Sequence, residues 1–189
     1  GYFGSTIYII AWEALKEFIN NGGKMRVICS PYISETDELA LSEGYSARSN
    51  EVLSKAIVEE LTTMFESPDL DAPSRLLAYL VTKKILDLKL AVPGKGMSPI
   101  AKRLFHDKVG IFRDSQKNMV GFRGSMNGTF MGLAADGNIE SIDVFPDWLD
   151  ERDRQRADEA AQFFENLWNH AVPGINVYAF PAAAQEIMR

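Results

Sequence analysis

Helical and strand periodicities alternate along this chain, and each change of period falls at a Gly, Pro or Asn stop. Residues 11–21 are amphipathic at helical spacing and end on Asn21-Gly22-Gly23, a strong C-terminal stop. A short apolar run at 24–30 predicts a buried strand, and Ser34-Glu35-Thr36-Asp37 resembles a capped helix start. Residues 50–65 carry Val52, Leu53, Ala56, Ile57, Leu61, Met64 and Phe65 on one helical face. Pro68 and Pro73 break that pattern, and Pro73 suits the first turn of a further helix, expected over 74–86. Strands are then predicted at 88–92, 105–113, 119–123 and 138–145, with a turn at 114–118. A helix over 151–170 turns Ala157, Ala160, Ala161, Phe164, Leu167 and Trp168 inward; a strand at 175–180 and a short helix begun by Pro181 close the chain. The expected fold is α/β, a mixed β-sheet sandwiched between helices.

A chain of 189 residues fits one domain with a sizeable core. Residues 1–189 are therefore expected to form a single domain. The start at Gly1 has no initiator methionine and enters what reads as the middle of an element, which suggests a piece of a longer protein. No run approaches the ~20 apolar residues of a membrane helix, so no membrane partner is expected. The single cysteine, Cys29, lies in an apolar run and cannot form an internal disulfide; a reducing, cytoplasmic setting fits.

The net charge of −6 conceals a segregation. Residues 1–74 hold 5 Lys/Arg against 12 Asp/Glu, and residues 125–189 hold 4 against 11. Between them, residues 75–124 hold 11 against 3. Such a block is either a set of solvated basic faces or a surface that attracts phosphate, because electrostatic focusing depends on charge near a site rather than on the sum. Within it, Lys102 and Arg103 are candidates to guide a nucleic-acid backbone.

Residues able to do chemistry follow in close order. His106 and Lys108 are two apart on a predicted strand and so share a face. A lysine on a central strand is costly unless an anion or partner offsets it. Gly124-Ser125-Met126-Asn127 offers backbone N–H groups, a hydroxyl and an amide for a phosphate oxygen. Glu140 is expected on the face of Ile142 and Val144, where a carboxylate invites an imidazole N–H. Each piece has an ordinary structural explanation. Their succession within 35 residues does not.

His106-x-Lys108, Gly124-Ser125-x-Asn127 and Glu140 together resemble the single-motif nucleases of the phospholipase D superfamily. The string FHDKVGIFRDSQKNMVGFRGSMNGT, with NIESIDVF after it, is similar to the phospholipase D-like domain that precedes DEAD/Snf2-type helicases in bacterial restriction and defence proteins. The opening GYFGSTIY and LKEFINNGGKMRVICSPYIS resembles the start of those domains, so the likeness spans most of residues 1–145, although 31–104 carries no family signature. One departure stands out: the family's structural aspartate falls five residues after the lysine, whereas Asp114 falls six after Lys108.

The resemblance implies a phosphodiesterase that needs no metal or other cofactor and cuts nucleic acid, with DNA the expected substrate. His106 is the implied nucleophile, forming a phosphohistidine while a second histidine protonates the leaving oxygen. Lys108, Ser125 and Asn127 would hold the non-bridging oxygens, with Gly124 allowing close approach, and Glu140 would fix a histidine tautomer. The chain has only one other histidine, His170, near a helix end and without a lysine two residues on. The second histidine is therefore expected from His106 of a symmetry mate, which makes the active unit a homodimer. A helicase domain is the expected neighbour in a longer protein.

Rival readings are weaker. Asp69, Asp87 and Lys89 mimic the spacing of a metal-dependent PD-(D/E)xK nuclease, but Asp69 falls in a loop. Two separated histidines and one cysteine do not make a zinc site, and Gly94-Lys95-Gly96 lacks P-loop spacing. A catalytically silent nucleic-acid-binding module keeps the same pocket without turnover, and a phospholipase would want a membrane-binding amphipathic stretch.

Overall fold

A computed structural model describes residues 11–30, 46–93, 108–125 and 140–189. They form a mixed α/β arrangement of five helices and six strands among the described residues. In chain order these are α1 (Trp12–Asn20), β1 (Met25–Cys29), α2 (Ser46–Glu66), a 3-10 turn (Pro68–Leu70), α3 (Asp71–Thr82), β2 (Leu86–Pro93), β3 (Val109–Arg113), β4 (Met119–Gly124), β5 (Ile142–Pro146), α4 (Glu151–Trp168), β6 (Ile175–Ala179) and α5 (Ala182–Ile187).

The strands fall into two three-stranded sheets rather than the one expected. The first has the order β1-β2-β6, with β1 and β2 parallel and β6 antiparallel to β2. The second is antiparallel throughout, in the order β3-β4-β5. The first sheet is covered on both faces. Leu86, Leu88 and Leu90 point into the main core, where they meet Leu15 of α1, Ile57, Leu61 and Met64 of α2, Leu77 and Leu80 of α3 and Ala184 of α5. Ala91 and Val177, one step out of phase, face Leu167 of α4 instead. This alternation follows from the two-residue period of a strand. The buried Ser74 hydroxyl ties α3 to α2, its one proton shared between the carbonyls of Leu70 (2.5 Å) and Met64 (3.2 Å).

Helix α4 joins the two sheets. Its N-cap, Asp150, accepts the Asp153 N–H at 2.8 Å, the usual way to satisfy an orphan donor in a first turn. The C-terminal half lies on the first sheet through Leu167. The N-terminal half lies on the second through Ala157 and Ala161, against Met119, Ile111 and Phe145. Gly121 sets that approach, because a Cβ there would stand 3.2 Å from the Ala157 Cα. The alanines read from the sequence as inward are therefore inward, and their smallness brings helix and sheet together.

Boundaries moved where the backbone did something the sequence does not advertise. The expected helix over 74–86 begins at Asp71 and stops at Thr82, because Lys84 adopts φ 55° and Ile85 N–H folds back to the Leu80 carbonyl (2.9 Å). Residues 86–87 consequently belong to β2. Gly22 (φ 75°) ends α1 and His170 (φ 60°) ends α4 by the same left-handed closure. The strand expected from 138 starts at Ile142, leaving Glu140 and Ser141 ahead of it, and β3 starts at Val109, just after Lys108. The helix start expected at 34–37 lies outside the described residues.

Candidate active site

Three strand ends converge at one end of the second sheet. Lys108 leads into β3, Gly124 ends β4 with Ser125 just beyond, and Glu140 and Ser141 lead into β5. Antiparallel pairing forces this meeting: Gly124 is opposite Ile142, and its N–H donates to the Lys108 carbonyl at 3.1 Å. Ser125 N–H then donates to the Ser141 carbonyl at 3.0 Å. Backbone hydrogen bonds thus hold Lys108, Gly124, Ser125 and Ser141 as a unit.

The Ser125 side chain completes it. Its hydroxyl donates to Glu140 Oε2 and accepts the Ser141 N–H at 3.1 Å. Two residues picked independently from the sequence, one for an anion and one for an imidazole, are bonded to each other.

Two expectations change here. The N–H groups of Gly124 and Ser125 were expected to face a phosphate oxygen, but both are engaged by the carbonyls of Lys108 and Ser141. The need for glycine at 124 has another origin: a Cβ there would lie 2.4 Å from the Ser141 carbonyl oxygen and 3.2 Å from the Ile142 Cα. Close approach of β4 to β5 excludes any side chain. Ser141, whose backbone closes the clasp through both its N–H and its carbonyl, was missed, and no sequence signal distinguishes it from any other serine at a strand start.

His106, Asn127, Lys102 and Arg103 lie outside the described residues. Of the expected set, Lys108, Gly124, Ser125 and Glu140 are described, and all four stand at this one end.

Asp114 is a turn residue. Its Oδ1 accepts the N–H groups of Gln116 (2.9 Å) and Asn118 (2.8 Å), its Oδ2 accepts the Asn118 amide (2.7 Å), and Lys117 takes φ 73° to close the turn. These bonds, that of the Asn118 amide foremost, hold the Asp114 carboxyl below the usual carboxylate range. Asp114 thus shapes the β3–β4 turn.

His170 also has a scaffold role. Besides closing α4, it accepts the Val177 N–H at Nδ1 (3.3 Å) and lies edge-on to Tyr178, with ring centroids 6.5 Å apart. Lys89 is similarly engaged: Nζ donates to the Trp168 carbonyl at 2.9 Å and sits 4.3 Å from the centroid of that ring. Asp69 lies on the connector beside the main core, whereas Lys89 faces α4 across the sheet. The sheet thus separates two members of the metal-nuclease rival. Among the described residues no three of His, Cys, Asp and Glu converge as a metal-binding group. Cys29 donates weakly to the Lys89 carbonyl (3.7 Å), and burial pushes its thiol up to about 12.

Comparison with protein-family models, curated proteins and solved structures finds no match. The functional reading rests on the residues. Among the described residues no helix is long and apolar enough to cross a membrane.

Proposed function

We propose that this chain is a phospholipase D-like phosphodiesterase that hydrolyses nucleic acid, with DNA as the expected substrate, through a phosphohistidine on His106. The observation carrying this reading is the gathering of Lys108, Gly124, Ser125 and Glu140 at one sheet end, with Ser125 hydrogen-bonded to Glu140. Sequence neighbours of these residues, His106 and Asn127, are the remaining members of the same set. The basic block spanning 75–124 supplies the charge that draws in a polyanion.

The chemistry balances without a co-reactant other than water. A neutral His106 nitrogen attacks phosphorus, the bond to the leaving oxygen breaks, and a second histidine gives that oxygen a proton. Water then attacks phosphorus with the second histidine as base, the P–N bond breaks and His106 is restored. Lys108 and Asn127 hold the non-bridging oxygens as charge builds on them. The Ser125 hydroxyl has one proton to donate; it can turn from Glu140 to a phosphate oxygen when substrate arrives. Glu140 then accepts an imidazole N–H and fixes its tautomer.

His170 is committed to α4 and β6, so the second histidine in this reading is His106 of a second copy, related by a two-fold axis. A phospholipase D-like fold, a cytoplasmic setting and linkage to a helicase domain belong to the same proposal.

Cleavage of a generic DNA substrate in excess chelator is the test. Undiminished cleavage that His106→Ala abolishes is expected, and mixing His106→Ala subunits with wild type should give heterodimers of almost no activity. Strict magnesium dependence, or full activity of a monomer, would overturn the proposal. Tight DNA binding with no turnover under any condition would leave a silent binding module.

A further inference from the structure

We draw no further inference here: the strongest candidate, the face of the β3-β4-β5 sheet turned away from α4, where an exposed Phe112 stacks on Phe122, carries nothing because nothing in the structure shows what covers it.

Discussion

The Ser125 hydroxyl donates to a Glu140 carboxylate oxygen across the gap between the end of β4 and the start of β5, fifteen residues apart in the chain. The same hydroxyl accepts the Ser141 N–H, so one oxygen joins a loop end, a carboxylate and a strand start. In the proposed mechanism, positioning and chemistry are coupled at this atom. Ser125→Ala and Glu140→Gln should each reduce kcat on the order of tenfold, about 1.4 kcal/mol of barrier. Their double variant should fall well short of the product, with a coupling of roughly 0.5–1.4 kcal/mol. Strictly multiplicative losses in steady-state kinetics would mean that the bond has no part in turnover.

Gly124 and Gly110 should respond very differently to alanine. At Gly124 the new Cβ meets the Ser141 and Ile142 backbone, so β5 must move; at Gly110 it meets only the end of the Phe122 ring. Gly124→Ala is expected to lower stability by about 1–3 kcal/mol and to slow cleavage, while Gly110→Ala costs less. Urea denaturation ranks the two, and a reversed order would contradict the close approach of β4 to β5.

His170 should matter to stability and not to catalysis. It holds φ 60° at the end of α4 and accepts the Val177 N–H. His170→Ala places an L side chain in that conformation without the hydrogen bond and should cost roughly 1–2 kcal/mol; His170→Gly should cost less. Both should cut at the wild-type rate once folded. Loss of turnover in a folded His170→Gly protein would make His170 the second histidine and remove the need for a dimer.

Arg26 and Glu165 link β1 to α4, with Arg26 Nη1 donating to Glu165 Oε2 at 3.0 Å and the guanidinium 5.1 Å from the Phe164 ring centroid. The hydrogen bond from Arg26 holds the Glu165 carboxyl below its ordinary 4.5, against a smaller opposing effect of burial. A depressed carboxylate stabilises the fold above its unfolded pKa, and that contribution disappears as pH falls through the folded value. Stability should therefore decline on acidification below 4.5 by a share that Glu165→Gln no longer shows. Both side chains are partly solvated, so the share is about 0.2–1 kcal/mol. Identical acid sensitivity of the two proteins would assign the loss elsewhere.

If Lys102 and Arg103 guide the substrate backbone, reversing both to glutamate should weaken binding alike for all sequences. The salt dependence should become shallower by roughly one to two counterions. An unchanged affinity and salt slope, read by titration at several salt concentrations, would leave these two residues as solvated charges.

The cores of α2 and α4 were legible because spacing alone names their buried faces: Leu53, Ile57, Leu61 and Met64 on one, Ala157 and Ala161 on the other. The turn at Asp114 was legible for a similarly local reason, since its carboxylate bonds to backbone within four residues. The C-terminus of α3 was not. A left-handed residue that ends a helix is usually glycine, and at Lys84 and His170 the surrounding packing imposes that geometry on residues that do not advertise it. The division into two sheets was hidden as well, because strand pairing is a long-range choice and β3, β4 and β5 find one another rather than β2.

By itself the sequence determined which residues can do chemistry and in what order they come. Imidazole, ammonium, hydroxyl and carboxylate groups are properties of residue type, and the spacing of Lys108, Ser125 and Glu140 around strand ends is written in the chain. It also determined the mixture of helices and strands, because hydrophobic period is a local signal. Tertiary structure alone decided that Lys108, Ser125 and Glu140 meet, since antiparallel pairing of β3, β4 and β5 brings three strand ends together at Gly124. It decided, too, that Ser125 belongs to Glu140, and that Phe112 stands in the open with its ring stacked on Phe122. A strand's alternation says only that it has two faces. Which face α4 covers depends on where Gly121 lets Ala157 approach, and that is settled by packing between residues far apart in the chain.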